Sequence, residues 1–458
     1  MEQQEDKTKE LETGDVSRLL WKYAIPSIIS MIIASIYNIV DRIFIGQGVG
    51  PLAIAGLAIT FPIMNVIHAV GSLIGVGSTS RMSIVLGQKD QHWAEQILGN
   101  SLLYTLILSG AACLAGYVFL DDILYAFGAT SETLDYARRY MLIILPGMYF
   151  TSISLNQTGL IRASGYPTRS MLILVIGAVV NIVLDALFIF VFDWGIEGAA
   201  WATTVAMALS ALLSLLHFCD RKSFIRFRSH GWKLSFKIFR NIILIGMSPF
   251  LMNLAGAGVV AIENTQLLRY GGDLAVGAFG IVNSVLNLLC LFIVGLCQGM
   301  QPISGYNYGA GHHDRLRHVF LLTVRIGVIT GIVGLVAGIA FPRQIAMAFT
   351  NDAELLELST YALRVMTMMF PIVAYTIVNS IFFQSIDKPY ISIITSMSRQ
   401  VIFLIPALYI IPRLFINLGY TGLQGVFWTT PLSDLLGGVL AFILLMSQRK
   451  VFRPKVCK

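Results

Sequence analysis

Long apolar stretches recur along the chain and are separated by short polar turns. Each is about as long as, or longer than, the ~20 residues that an α-helix needs to cross a bilayer. Twelve stretches are predicted to span the membrane, at about 19–45, 52–79, 95–119, 136–161, 170–192, 198–218, 241–268, 275–303, 317–341, 359–385, 391–411 and 422–446. Two shorter segments, 121–128 and 343–350, predict interfacial helices. The pattern predicts an all-α polytopic membrane protein.

The composition supports this fold class. The 458 residues are 56% hydrophobic and 12% charged, whereas a soluble domain usually has about 25% charged residues and under 50% apolar ones. The formal net charge of +7 does not indicate nucleic-acid binding, because the basic residues lie in alternate loops rather than on one amphipathic face. Neither a GxxxxGK(S/T) motif nor an HExxH motif occurs. We therefore expect no enzyme and no cofactor, and neither bound ATP nor a catalytic metal to drive its activity.

The charge of the loops predicts the topology. The segment 220–240 carries seven Lys/Arg and one acid, and the tail after Ser447 is also basic, whereas 120–135 and 193–197 carry acids and no Lys/Arg. Because cytoplasmic loops are enriched in Lys and Arg, both termini are predicted to be cytoplasmic, in a plasma membrane and most simply a bacterial inner membrane. The predicted parts are listed in chain order: amino-terminal tail 1–17, first lobe 18–219, basic linker 220–240, second lobe 241–447 and basic tail 448–458.

The two halves of the sequence are related by an internal repeat. GPLAIAG at 50–56 corresponds to GDLAVGA at 272–278, and GIEGAAW at 195–201 corresponds to GLQGVFW at 422–428. Three prolines match at the same spacing, which stays between 222 and 227 residues: Pro26 with Pro249, Pro146 with Pro371, and Pro167 with Pro389. Six spans per half make this a parallel repeat, with two six-helix lobes related by a pseudo-twofold axis along the membrane normal. Such a repeat favours alternating access over an open pore.

Two acids inside the predicted spans of the first lobe need an explanation. Burying an ionisable residue in a span costs roughly 2.5–3.5 kcal/mol or more. Asn181 and Asp185 share one helix face because they are four residues apart. Counting along the spans places them near Asp41 and near Thr203 or Thr204, in the outer half of the first lobe. Two carboxylates, an amide and a hydroxyl suit a small cation, and adjacent carboxylates also favour sharing a proton.

A structural role for these acids is the alternative. Asp41 would then only hydrogen-bond a neighbouring helix or pair with Arg42. Arg42 lies near the helix end, where its side chain is expected to reach the outer interface. Because intramembrane acids are by default functional, we favour ion coupling for Asp41 and Asp185.

The second lobe is predicted to differ in chemistry. The repeat places Glu263 at the position of Asp41, but the equivalents of Asn181 and Asp185 are apolar. Glu263 is either a secondary cation or substrate group, or an interface acid satisfied by a neighbour. Arg399 and Asp434 are predicted to form a buried structural ion pair. For His68 we favour a hydrogen-bonded packing role over titration.

A substrate cavity is expected beside the acids. Amide, phenol and thioether side chains suit it, and the methionines offer soft, adaptable surface for varied apolar ligands. Besides Glu263, the predicted cavity residues are Tyr37, Tyr140, Asn156, Gln157, Met171 and Asn379.

Three motifs carry a resemblance to a known family. They are YNIVDRIFIG at 37–46, NIVLDALFIF at 181–190 and RASGYP at 162–167. With these motifs the chain resembles the multidrug and toxic compound extrusion (MATE) family over nearly its whole length, and its first-span aspartate is similar to the DinF-like and MepA-like prokaryotic branch. Many members of this branch have proline after the fifth-span aspartate, where this chain has Ala186, so bending of the helix there is less expected.

The resemblance implies a function. It implies export of cationic or amphiphilic toxic compounds in exchange for H⁺ or Na⁺, and a cation site made by Asp41, Asn181, Asp185 and the threonines of the sixth span. The partners would be small-molecule drugs and membrane lipid, and we expect a monomer. The main rival is a lipid-linked oligosaccharide flippase of the same wider superfamily, whose cavity should contain several cationic residues for a pyrophosphate.

Overall fold

The computed structural model describes residues 10–130, 133–220 and 223–452, except the side chains at 51 and 257. These residues are almost entirely helical. In chain order the helices are α1 Val16–Gly48, α2 Pro51–Gly87, α3 Gln91–Val118, α4 Leu120–Ala126, α5 Leu134–Ala163, α6 Pro167–Ala186, α7 Gly195–Cys219, α8 Phe236–Gly309, α9 His313–Ala340, α10 Pro342–Met347, α11 Ala353–Met366, α12 Phe370–Ser385, α13 Pro389–Met397, α14 Leu404–Asn417 and α15 Gly422–Ser447. Positions 1–9 of the predicted amino-terminal tail, 221–222 of the linker and 453–458 of the basic tail lie outside the described residues.

The helices account for the twelve predicted spans. Within the described part of the chain, nine helices are long and apolar enough to cross a membrane. One of them, α8, has 74 residues and breaks at Gly272, so it contributes two spans. Helices α11 and α12 form one span bent by 54°, and the 30-residue α5 supplies the last. Helices α13 and α14 are joined by a π-helical segment, Ser398–Phe403, into a single span.

The internal repeat is visible in the turns. Three pairs of residues with positive φ stand 222 positions apart: Gly50 with Gly272, Lys89 with Gly311, and Gly165 with Asp387. The short helices α4 and α10, predicted as interfacial, begin 222 positions apart as well. Positive φ is easy for glycine and uncommon for other residues, so its recurrence at one spacing reflects the shared backbone of the two lobes. Helices α1–α7 form the first lobe and α8–α15 the second.

Buried apolar side chains show how the lobes are joined. One cluster lies wholly in the first lobe and includes Ile45, Leu57, Ile144, Leu145 and Ile196. Another lies wholly in the second lobe and includes Val259, Val282, Leu363, Leu408 and Phe427. A third, here called the inner core, takes side chains from both lobes and includes Leu11, Leu20, Ile74, Met300, Phe382 and Val451. Because the inner core contains residues near both termini, the lobes share a core at that end and have separate cores at the other.

Helices α2 and α8 of the two lobes make close backbone contacts at the inner end. A Cβ on Gly246 of α8 would overlap the backbone oxygen of Leu73 in α2, and one on Gly309 would overlap that of Ile84. Small residues allow such close approach of membrane helices. Gln301 also donates a hydrogen bond to Ser80 across the lobes, with 2.7 Å between Nε2 and Oγ. The glycines thus permit helix contact that larger residues would prevent.

Charged groups add further links at the inner end. Arg81 of α2 pairs with Asp387 of the second lobe, at 3.1 Å between Nη1 and Oδ2. Arg315 of α9 donates to the carbonyl oxygen of Gly14, at 2.7 Å, while Glu12 pairs with Lys89 of the first lobe at 3.2 Å. The segment before α1 therefore contacts both lobes across their seam.

Helix α8 begins inside the segment predicted as the linker. Helix α8 begins at Phe236, so the last five residues of the predicted linker 220–240 are already helical. A short 3₁₀ turn, Ser229–Trp232, precedes it.

Candidate cation site in the first lobe

Three helices of the first lobe position the predicted cation ligands. Helix α6 packs against both α1 and α7. Beyond the acids, Phe44 of α1 meets Phe190 edge to face, with 5.5 Å between ring centroids. Gly48 of α1 lies so close to Ile189 that a Cβ there would overlap it. These contacts hold the end of α1 against the segment that follows α6, Leu187–Val191, and thereby bring Asp41 toward Asp185.

The structure brings the predicted acids and two tyrosines together. Asp185 is 0% exposed and Asn181 2% exposed, while Asp41 is partly buried on the facing side of α1. The carboxyl groups of Asp41 and Asp185 are close enough to interact electrostatically, and each also interacts with Tyr37 and Tyr140. The two acids thus belong to one largely buried cluster of polar side chains.

Four oxygen atoms of this group have no hydrogen-bond donor among the described residues. They are Oδ1 of Asp41, Oδ1 of Asn181 and both carboxylate oxygens of Asp185. The Asn181 amide donates its nitrogen to Oγ1 of Thr203 at 3.1 Å, which leaves its oxygen free as an acceptor. A buried polar group without a partner costs about 1–3 kcal/mol, and a charged one costs more. The arrangement therefore favours an added proton, cation or water.

The two threonines of α7 have different surroundings. Thr203 faces Asn181, whereas Thr204 donates its hydroxyl hydrogen to the backbone oxygen of Ile143 in α5, at 2.9 Å. The geometry thus favours Thr203 over Thr204 as a member of the site. The sequence alone did not separate them.

Arg42 makes no ion pair with Asp41 in the described structure. It is exposed, and its guanidinium lies over the ring of Phe61, with 4.6 Å from Cζ to the ring centroid. A cation over an aromatic face is favourable in itself. Arg42 lies within electrostatic range of the Asp41 carboxyl without bonding to it, so it does not supply the hydrogen-bond partner that Oδ1 of Asp41 lacks.

A π-helical turn follows Asp185 directly. Helix α6 ends at Ala186, and Leu187–Val191 continues as π-helix. Such single turns recur at functional sites and mark an inserted residue in the helix. Here the helical geometry changes immediately after Ala186, the position at which the absence of proline made bending less expected.

Several predicted cavity residues lie elsewhere. Asn156 is about 24 Å along α5 from Tyr140, at ~1.5 Å per residue. Its amide accepts from Ser78 at 2.7 Å and donates to Thr105 at 2.9 Å, which ties α5 to α2 and α3. Gln157 is next to it, fully buried, with neither amide atom bonded to a described residue. The structure does not place Asn156 beside Asp185 as predicted, and this packing network was missed from sequence.

Met171 is also remote from the acids. It lies on α6, about 21 Å along the axis from Asp185 at ~1.5 Å per residue. Asn379 of the second lobe is fully buried and donates to the backbone oxygen of Ala441 at 3.3 Å, which packs α12 on α15.

His68 is half-buried on α2 and has no hydrogen bond to a described residue, so the hydrogen-bonded role favoured from sequence is not observed.

The second lobe contains its own charged group. Arg399 pairs with buried Asp434 at 3.2 Å between Nη1 and Oδ1. Glu263 is buried, receives a long 3.5 Å hydrogen bond from Thr430 and lies within electrostatic range of Asp434 and Arg399. Sequence comparison of the repeats missed the proximity of two acids here, because Asp434 comes from α15 and has no acidic counterpart in α7.

No conventional metal cluster accompanies these groups. Within residues 10–130, 133–220 and 223–452, no set of three or more His, Cys, Asp and Glu side chains is placed to hold a metal ion. The first-lobe group supplies two carboxylates instead, with an amide oxygen and a hydroxyl. Hard oxygens of this kind suit ions such as Na⁺ rather than soft metals.

Comparison with known proteins gives consistent matches over the chain. The MatE family model matches residues 26–187 and 242–410. A multidrug export protein MepA from Staphylococcus saprophyticus is 24% identical over 438 residues, covering 95% of this chain and 94% of the relative. The MepA protein of Staphylococcus aureus strain COL is 27% identical over 437 residues, covering 95% and 94%.

Solved structures share the fold. A multidrug resistance MATE transporter in an outward-facing conformation superposes with a TM-score of 0.89 at 24% identity, covering 97% of this chain and 98% of that one. A MOP superfamily transporter from Pyrococcus furiosus, described as having a binding pocket of reverse polarity that suggests a different function, gives 0.89 at 24% identity and 96% and 98% coverage. Because the family model covers most of both lobes, this multi-pass membrane protein belongs to the MatE family of transporters.

Proposed function

We propose that this protein is a secondary active multidrug efflux transporter, which exports cationic or amphiphilic compounds in exchange for H⁺ or Na⁺ by alternating access. Full-length similarity to proteins named as multidrug exporters supports the substrate class. The loop charges support a plasma membrane location with both termini in the cytoplasm.

The observation that carries the proposal is the set of unpartnered oxygens on Asp41, Asn181 and Asp185. A proton or Na⁺ bound there satisfies these acceptors and removes the repulsion between two ionised carboxylates. When the cation leaves, that repulsion returns between α1 and α6. Occupancy of the site therefore changes how well these helices pack.

The shape of the molecule supports an outward-facing state. With the termini in the cytoplasm, the inner core joins the two lobes at the cytoplasmic end, and the separate cores of the two lobes lie toward the outside. Asp41 is on the part of α1 beyond the inner core and is partly exposed. The site then receives its cation from the side on which protons or Na⁺ are supplied.

A transport cycle follows from this arrangement. Outside, the cation binds at Asp41 and Asp185, neutralises the site and displaces a cationic substrate. The lobes then reorient toward the cytoplasm, the cation leaves, and fresh substrate binds. A cation drives this cycle only if it binds the two states with different affinity, which the packing of α1 on α6 provides.

The charge of the second lobe argues against the flippase alternative. A pyrophosphate needs several unmatched cationic groups. Arg399, inside the second lobe, is already paired with Asp434 at 3.2 Å, and Glu263 adds a further acid. The interior groups of the second lobe therefore suit a cationic ligand better than a pyrophosphate.

Purified protein in vesicles tests the function. Ethidium movement is followed while pH and Na⁺ gradients are imposed independently, with protein-free vesicles as control. We expect ethidium to move against its gradient when one of the two ion gradients is present, and the effective gradient identifies the coupling ion. A rate of ethidium transport that changes with neither the pH gradient nor the Na⁺ gradient would overturn the proposal.

A further inference from the structure

The linker between the lobes presents a row of exposed apolar side chains. Trp232, Leu234 and Phe236 are 44%, 58% and 77% exposed, and polar residues stand between them. The backbone is extended at Lys233 and Ser235, and side chains alternate between opposite faces of an extended segment. The three apolar groups therefore share one face, called here the linker face.

This face is held rigidly against the first lobe. Asn100 of α3 is fully buried and donates its amide hydrogens to the backbone oxygens of Gly231 and Lys233, at 3.0 and 2.9 Å. Its Oδ1 accepts from the backbone nitrogen of Ser235 at 2.8 Å. The hydroxyl of Tyr104 donates to the carbonyl of Ser235 at 3.1 Å. One asparagine thus fixes three positions of the linker backbone.

Asn100 also gives the depth of the linker face. The third predicted span begins near residue 95, so Asn100 lies about 7 Å inside it at ~1.5 Å per residue. The linker residues that bond to Asn100 lie at the same depth. Trp232, Leu234 and Phe236 are then at the boundary between lipid headgroups and acyl chains, where tryptophan is enriched.

Basic residues surround the face. Lys233, Lys237 and Arg240 are exposed, and within the described residues none forms an ion pair, although the ammonium of Lys237 lies over the ring of Trp93, with 4.8 Å from Nζ to the ring centroid. Arg228 and His230, by contrast, already face buried Glu95, at 3.4 and 3.3 Å. A segment with apolar side chains on one face and lysines without an acidic partner beside them suits the surface of a membrane that contains anionic lipid.

We propose that the linker face is a binding surface for an anionic phospholipid. Trp232, Leu234 and Phe236 contact the upper acyl chains, while Lys233, Lys237 and Arg240 bind the headgroup phosphate. Charge complementarity selects this occupant, and the face is continuous with the start of α8, which enters the membrane. A second copy of the chain would have to match the same unpaired positive charge, and nothing on the linker face does.

Tryptophan quenching by brominated lipid tests the depth of the face. The fluorescence of Trp232 is obtained as the difference between the fluorescence of the natural protein and that of Trp232→Phe. In vesicles of equal parts phosphatidylglycerol and phosphatidylcholine, lipids brominated near the headgroup end of the chain should quench this contribution more than lipids brominated near its terminus. Quenching of Trp232 by aqueous iodide but not by brominated lipid would overturn the proposal.

The headgroup preference is tested in the same vesicles. Bromine carried on phosphatidylglycerol should quench Trp232 at least about twofold more than bromine on phosphatidylcholine, and Lys233→Gln/Lys237→Gln/Arg240→Gln should abolish that difference. Arg226→Gln, elsewhere on the linker, is the matched control and should retain it. Equal quenching by the two headgroups in the natural protein would contradict the proposal, as would an undiminished preference in the triple variant. An unchanged far-ultraviolet spectrum confirms that each variant is folded.

Discussion

At the scale of residues, Asp41 and Asp185 carry the proposed ion coupling. Asp41→Asn and Asp185→Asn each keep the size of the side chain but remove its titration and charge. We expect each variant to reduce drug resistance in cells to the level of cells without the transporter, while the amount in the membrane stays normal. Survival in ethidium and immunoblots of membrane fractions measure the two quantities.

Asp122→Asn provides the control for these variants. Asp122 is an exposed acid of α4 that forms no ion pair in the described structure, and its variant should protect cells like the natural protein. Full resistance in both Asp41→Asn and Asp185→Asn would end the proposed role of the acids.

The ion pair of the second lobe gives a stability prediction. Arg399→Gln leaves Asp434 buried without its cation, and an uncompensated buried charge typically costs 3–5 kcal/mol. We expect a clearly lower melting temperature in detergent. The double variant Arg399→Gln/Asp434→Asn should recover much of the loss, because the buried charge of Asp434 is then removed together with its partner. A double variant as unstable as Arg399→Gln would contradict this account.

Part of the candidate site could be predicted from the sequence for identifiable reasons. The cost of an acid in a span and the four-residue spacing of Asn181 and Asp185 are both visible in sequence. The packing of neighbouring helices decides whether a threonine hydroxyl points to the site or bonds to a backbone oxygen. The sequence therefore could not tell whether Thr203 or Thr204 belongs to the site. For the same reason Asn156 was expected in a cavity, although it bonds Ser78 and Thr105.

At the scale of elements, glycines decide how closely α2 and α8 approach. Gly246→Ala introduces a methyl group against the backbone oxygen of Leu73, and overpacking of this kind costs roughly 1–3 kcal/mol. We expect a lower melting temperature in detergent and looser closure of the inner end.

Gly256→Ala is the matched control on the same helix. No described atom lies within 4 Å of a Cβ built there. Replacing glycine in a helix by alanine gains about 0.5–1 kcal/mol when there is space. The melting temperature should therefore stay or rise. An equal loss of stability in both variants would show that the close contact at Gly246 is not the cause.

Helix positions were largely predictable because hydrophobic runs report membrane spans directly. The break at Gly272 lies between the spans predicted at 241–268 and 275–303, and the short helices α4 and α10 overlap the predicted segments 121–128 and 343–350. The π-helical turns at Leu187–Val191 and Ser398–Phe403 were not foreseen, since local hydrogen-bond register depends on packing rather than on hydropathy.

At the scale of the whole molecule, the repeat predicted two lobes but not which end joins them. Hydropathy is similar along each span, whereas the joint depends on where small residues such as Gly246 and Gly309 let α2 and α8 meet. The shared inner core and the separate cores beyond it became visible only in three dimensions. In the proposed mechanism, this arrangement lets the cation site of the first lobe influence both lobes.

The distance between the outer ends of the lobes tests this influence most directly. Spin labels at Asp122→Cys in α4 and Arg343→Cys in α10, in a protein without its native cysteines, report the distance by pulsed electron resonance. In the protein that keeps both aspartates, titration with protons or Na⁺ should shift the distribution of label-to-label distances toward shorter values. The substitutions Asp41→Asn/Asp185→Asn should abolish this shift. The same shift in the double variant would contradict the claim that these two aspartates sense the cation.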